Sequence, residues 1–182
     1  MSNEIKIVLC GGIMPRKATE GAACYDLYVK EDYPIKYGRS VIDLGFKMQL
    51  PQNMAAIIKS RSGFASRGIE VMLTDWNGDR AIRIDADVLM GTADSDYRGN
   101  IGVIINVHDN RTAHMVIKKG TRIAQMQIVE VPETRFVEVD NLDETDRGDG
   151  GFGHTGTSDI VEQGEKPTKK AGRPRKKVKE ER

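Results

Sequence analysis

The sequence predicts an all-β fold, a sandwich, barrel or jelly roll, on three observations. Short apolar or alternating runs recur through the first two thirds of the chain, turn-forming residues punctuate them, and no stretch of 12 or more residues carries a helical period.

The runs follow in order. Residues 5–9 (Ile-Lys-Ile-Val-Leu) and 25–29 (Tyr-Asp-Leu-Tyr-Val) are rich in β-branched and aromatic side chains, and 41–50 is the longest run of this kind. Residues 54–58 (Met-Ala-Ala-Ile-Ile) form a short continuous apolar run that is also strand-like. Residues 82–84, 101–107, 115–117 and 123–131 complete the set. Gly38, Pro51-Gln52-Asn53, Asn77-Gly78-Asp79, Asp109-Asn110 and Lys119-Gly120 supply the turns between them. A short helix is allowed around residues 65–68 and nowhere longer.

At 182 residues the chain suits one compact domain with an extension, large enough to build a core without disulfides or structural metal. Cys10 and Cys24 make neither a disulfide framework nor a zinc site, which points to a reducing cytoplasm. No apolar run reaches membrane-spanning length and the opening Met1-Ser2-Asn3-Glu4 is not a signal peptide, so no membrane association is expected. Charge is uneven: Lys166 to Arg182 holds nine Lys or Arg against two Glu, a net +7. The remaining 19 basic and 25 acidic residues leave the rest at −6. Past Val131 the chain turns acidic, then glycine-rich, and from Thr157 nearly free of apolar residues, so 157–182 should be a disordered basic tail.

Four clusters carry chemistry. Gly91-Thr92-Ala93-Asp94-Ser95-Asp96-Tyr97-Arg98-Gly99 sets two carboxylates and an aromatic ring between glycines ahead of an alternating strand, and reads as the tip of a hairpin that could aim a carboxylate at a water. Ser60-Arg61-Ser62-Gly63 has the parts of a phosphate site, and equally those of a polar turn with a salt-bridged arginine. In Lys119-Gly120-Thr121-Arg122-Ile123-Ala124-Gln125-Met126 a turn feeds a strand with Gln125 opposite Ala124 in facing, which alone is only a solvated glutamine. Arg147-Gly148-Asp149-Gly150-Gly151-Phe152-Gly153-His154-Thr155-Gly156 reads as a flexible arm able to close over a ligand, Phe152 stacking on a planar ring while Arg147 and backbone amides hold phosphates. A linker with an accidental aromatic is the other reading.

In order, Ala22-Ala23-Cys24-Tyr25-Asp26-Leu27, Arg61-Ser62-Gly63, the segment 91–102, the segment 120–125 and the segment 147–156 resemble the five motifs of the trimeric deoxyuridine triphosphatases (dUTPases), over residues 18–156. The resemblance implies a jelly-roll homotrimer with an exchanged C-terminal arm. It implies hydrolysis of dUTP to dUMP and pyrophosphate by water attack on the α-phosphorus, which supplies the dTMP precursor and keeps uracil out of DNA. Asp94 then matches the residue that activates the water, with Asp96 bracing the hairpin. Gly91, Thr92, Ala93 and Gly102 match the backbone reader of uracil, and Tyr97 the ring under the sugar that excludes a ribose hydroxyl. Arg61, Ser62, Gly63 and Gln125 match the phosphate donors, Arg147 the clamp on the γ-phosphate, Phe152 the lid over uracil, and Gly153, His154 and Thr155 groups near the phosphates. Mg²⁺ is the implied cofactor, held by phosphate oxygens and waters, with Asp26 reached through water and no direct protein ligand.

The implied organisation is a dUTPase domain over 1–140, an arm over 141–156 and the tail over 157–182. Three departures from the family pattern stand out. Cys24 takes a usual glycine position. The 31 residues from Gly63 to Asp94 point to an insertion over 72–87, folded as a hairpin about Trp76-Asn77-Gly78-Asp79 and offering a surface for a protein partner. The tail segment 169–177 resembles an AT-hook, whose Gly-Arg-Pro core would give weak, salt-dependent contact with A·T-rich DNA, and tail and insertion together point to a viral or phage source. A dCTP deaminase would share the fold, but the 94–97 pattern follows the dUTPases; a dUTPase-like binding module is the remaining alternative class.

Overall fold

The computed structural model describes residues 4–150 of the chain, which divide at residue 135 into a β-domain and a second unit beginning at Phe136. The β-domain holds β1 (Lys6–Leu9), β2 (Tyr25–Tyr28), β3 (Tyr33–Pro34), β4 (Gly38–Asp43), β5 (Phe46–Gln49), β6 (Met54–Lys59), α1 (Ser62–Arg67), β7 (Ile69–Asp75), β8 (Gly78–Ile84), β9 (Ala86–Leu89), β10 (Gly91–Ala93), β11 (Gly102–Val107), β12 (Met115–Ile117) and β13 (Arg122–Glu130). The all-β expectation holds, and the one helix lies where the sequence allowed it, three residues longer at its start.

The strands pair as β1-β5, β10-β6-β13-β2, β4-β11-β9 and β3-β12-β7-β8. In β11 the alternation of Val103, Ile105 and Val107 sends all three into the core, each at most 1% exposed. Interior position explains the continuous apolar run of β6: it lies between β10 and β13, and Met54, Ala55, Ala56 and Ile58 are all buried. One hydrophobic cluster runs through the domain, with Leu27, Leu44, Phe46, Ile101 and Ile123 among its largest buried side chains. Gly45, at φ +68°, breaks the long 41–50 run into β4 and β5, which join different sheets.

A hairpin lies close to the expected place as β7–β8, joined by the two-residue loop Trp76-Asn77, with Gly78 at φ +96°. It spans 69–84 rather than 72–87. Ala86–Leu89 forms β9 instead, which pairs with β11. The hairpin is anchored where it leaves α1: Gly68 adopts φ +70°, and a Cβ there would collide with the carbonyl oxygen of Ile84.

The second unit is described only through Gly150, and its last residues form a turn. The Thr145 carbonyl accepts from the Gly148 amide at 3.0 Å, and Arg147 Nε donates to the Gly150 carbonyl at 2.8 Å. Phe152, Gly153, His154, Thr155 and the basic tail lie outside the described residues. Among those described, no helix is long and apolar enough to cross a membrane.

Candidate active site

Three of the five motif segments are brought together by strand pairing. Asp26 on β2 faces Gln125 on β13, and Gln125 faces Lys59 at the end of β6, so segments a hundred residues apart become one cross-strand row. A bulge between Arg122 and Ala124 lets Ile123 and Ala124 both reach the core. Among the described residues Asp26 is the one charged residue that is buried, its side chain 12% exposed, and two arginines hold it: Arg61 Nε donates to one carboxylate oxygen at 2.9 Å and Arg122 Nη1 to the other at 3.3 Å. Gln125 Nε2 donates to the Ser60 carbonyl at 3.0 Å and thereby fixes the turn that leads into Ser62 and Gly63.

Of the two readings of Arg61, the structure realises the salt-bridged arginine, and it leaves room for the other. Arg61 also lines a cleft of about 460 Å³ with Ser62, Gly63, Arg67, Arg83 and Arg122. Arg67, Arg83 and Arg122 were absent from the sequence-derived site. Only Arg122 lay within a recognised motif; Arg67 and Arg83 reach the cleft through α1 and the added hairpin.

The acidic segment sits elsewhere, and it is not the tip of a hairpin. β10 pairs with β6, whereas β11 pairs with β4 and β9, so the segment crosses between two sheets. The reason is that β10 is only three residues long and finds its partner in the apolar β6. This crossing has a chemical consequence. Among the described residues β10 is an edge strand and β11 pairs with β9 only from Ile104 onward, so within them Gly91–Ala93 and Gly102-Val103 each keep one unpaired backbone edge. Both edges border a cavity of about 270 Å³ with Val41, Ile58, Leu89 and Tyr97 in its walls. Apolar walls with free peptide groups suit a flat heterocycle read by main-chain hydrogen bonds.

The loop itself is braced by three side chains. Tyr97 Oη donates to the Asn100 carbonyl at 3.0 Å, and Arg98 Nη1 donates to the carbonyls of Ser95 and Tyr97 at 2.7 and 2.9 Å. Asn100 Nδ2 donates to Asp43 at 3.2 Å, while Asp43 also takes Lys30 Nζ at 2.7 Å and the Gly45 amide at 2.9 Å. The Lys30 ammonium first, then the Gly45 amide and Asn100, hold the Asp43 carboxyl below the usual carboxylate range. The bracing expected of Asp96 thus falls to Tyr97, Arg98 and Asn100. Asp94 is exposed at the end of β10, and no hydrogen bond or ion pair among the described residues engages its carboxylate.

The two cavities share no lining residue. Arg147 belongs to the second unit and is described only within its own turn.

A family model described as dUTPase matches residues 11–86 and 83–156, its two stretches meeting at the end of the β7–β8 hairpin. The deoxyuridine 5'-triphosphate nucleotidohydrolase of Caldanaerobacter subterraneus subsp. tengcongensis is 40% identical over 148 residues, covering 79% of this chain and 88% of the relative. That of Nautilia profundicola is 37% identical over 158 residues, 86% and 99%. Among solved structures, a mutant dUTPase of Staphylococcus bacteriophage 80alpha with dUpNHpp superposes with a TM-score of 0.69 at 22% identity over 86% of this chain and 100% of that one. A phage phi11 dUTPase, described with a structural Mg(II) ion, gives 0.61 at 19% over 76% and 98%. These two structures speak to the fold, a jelly roll.

Proposed function

Because the chain belongs to the dUTPase family and hydrolyses dUTP to dUMP and pyrophosphate, we propose that Asp94 is the base that activates the attacking water. The observation that carries this is the unengaged carboxylate of Asp94, which follows directly on Ala93, a residue lining the cavity between the two free backbone edges. The water's oxygen bonds to the α-phosphorus as the bond to the bridging oxygen breaks, pyrophosphate leaves, and the proton passes to the Asp94 carboxylate and on to solvent.

Uracil occupies the cavity between Gly91 and Gly102, reading the unpaired edges. A Cβ at Gly102 would come within 2.8 Å of Val41 Cγ1, while one at Gly91 would project into open space. The Tyr97 ring packs under the sugar. Ser62, Gly63, Arg61 and Gln125 take the phosphates, and Arg147, Phe152, Gly153, His154 and Thr155 close the site from the arm.

Both oxygens of Asp26 are committed to Arg61 and Arg122, so their remaining lone pairs suit a water better than a metal ion. That donor set fits Mg²⁺ brought in on the substrate phosphates, with Asp26 reaching it through water. When bound, the ion offsets phosphate charge. The separation of the two cavities supports a homotrimer in which one chain's uracil cavity faces another's phosphate cleft. The cytoplasm is the proposed compartment. Contact of the basic tail with A·T-rich DNA and a protein partner at the hairpin rest on sequence pattern alone.

The test is pyrophosphate release from dUTP, dTTP, dCTP and UTP in Mg²⁺ by the native protein and by Asp94→Asn. Selective turnover of dUTP, reduced at least about 10³-fold in the variant with analogue binding retained, is expected. Equal rates in the two proteins would remove Asp94 from the mechanism.

A further inference from the structure

The cleft beside Ser62 and Gly63 carries more positive charge than those residues account for. Four arginines line it, and Arg61 and Arg122 are largely satisfied by Asp26. Arg67 stands differently: four residues after Gly63 on α1, it folds back over that glycine. Its Nη2 lies 3.2 Å from where a Cβ on Gly63 would sit. No carboxylate or carbonyl among the described residues engages it.

Arg83 comes from the added hairpin. In the β7–β8 register it lies opposite Glu70, its Nη2 3.2 Å from that carboxylate and its Nη1 3.2 Å from the Gly68 carbonyl at the end of α1. The arginine is half exposed, and its ion pair is of the weak, exchangeable surface kind. Four guanidiniums against Asp26 and Glu70 leave the cleft a net charge of +2. A polyphosphate is the ligand that such a charge and forked donor geometry fit best.

We infer that the added hairpin is part of the substrate site, with Arg83 and Arg67 forming a second guanidinium pair that holds the pyrophosphate end of dUTP. This rests on the dUTPase reading and extends it to two residues outside the five motifs. On binding, a phosphate oxygen displaces Glu70 from Arg83, while the Gly68 carbonyl keeps the guanidinium aimed into the cleft. No bond is made or broken by either arginine; they position the leaving group and set the preference for a triphosphate over a monophosphate.

Calorimetric titration of the full chain with a non-hydrolysed imido analogue of dUTP in Mg²⁺, and separately with dUMP, tests this. Arg67→Gln and Arg83→Gln should each weaken the analogue by about tenfold and leave dUMP within about twofold, with Arg83→Lys recovering part of the loss. Glu70→Gln, which releases Arg83, should tighten the analogue. Arg80→Gln removes the same charge from the same hairpin, at a residue paired with Asp75 2.8 Å away and outside the cleft, and should change neither ligand. Analogue affinity unchanged in both Arg67→Gln and Arg83→Gln would overturn the inference. So would equal losses for analogue and dUMP, or an Arg80→Gln that behaves like Arg83→Gln. A native protein that released no pyrophosphate from dUTP would fail the parent reading instead, so the two failures are distinguishable.

Discussion

At the residue scale, Asp94 and Gly91 separate function from stability unusually well. Asp94 is exposed and without an intramolecular partner among the described residues, so Asp94→Asn removes no packing or ion pair. Its thermal midpoint should match that of the native protein while turnover collapses. Gly91 makes the complementary case. A Cβ there meets nothing within 4 Å in the free chain, and alanine is the better strand residue, so Gly91→Ala should fold with stability within about 0.5 kcal/mol of native. The same methyl group would enter the space assigned to uracil, and dUTP affinity should fall by at least about tenfold. Chemical denaturation with parallel steady-state kinetics checks both; a Gly91→Ala protein with native KM would show that the base does not lie against this strand.

At the scale of elements, the loop between β10 and β11 depends on groups no local pattern announces. Asp43 holds it through Asn100, 57 residues away, and is itself held by Lys30. The Asp43 carboxyl titrates below its ordinary value because the folded state favours the anion; Asp32 does so through Lys118 and the Lys119 amide, and Asp109 through Arg111. A depressed carboxylate pKa contributes stability that is present above the unfolded value and lost as pH falls through the folded one. Thermal midpoints should therefore be flat near neutrality and drop below about pH 4, and Asp43→Asn should shrink the drop. Asp43→Asn should also raise KM for dUTP several-fold at pH 7, as Asn100 and the Tyr97 turn loosen. An unchanged KM would mean the loop is ordered without this anchor. Much of the fold was legible because burial imprints period on β5, β11 and β13, and the turn at Asn77-Gly78 announces itself. What escaped was pairing. The acidic segment looks like a hairpin tip because strand-like residues flank it, yet β10 is bound by the apolar β6 and β11 by β4, a choice made by tertiary packing. Arg67 and Arg83 escaped for the same reason: they enter the cleft only once Gly68 folds the added hairpin back against α1.

At the scale of the whole molecule, the cavity proposed for uracil and the cleft proposed for the phosphates share no lining residue, and under that proposal a substrate must touch both. In the proposed ring of three identical subunits, a heterologous contact would set the uracil cavity of one chain against the phosphate cleft of the next, giving three equivalent sites, none internal to a chain. This can be tested without a structure of the assembly. Asp94→Asn spoils the uracil side, and Ser62→Ala weakens the phosphate side by removing a hydroxyl donor. Each homotrimer carries the same defect in all three of its sites. Unfolding the two variants together in equal amounts and refolding them mixes subunits at random, so one site in about four receives an intact Asp94 from one variant and an intact Ser62 from the other. The refolded mixture should therefore regain about a quarter of native turnover, well above the mean of the two variants refolded separately. A mixture no more active than that mean, with subunit exchange confirmed by mass, would place both halves of the site within one chain and undo the shared-site assembly.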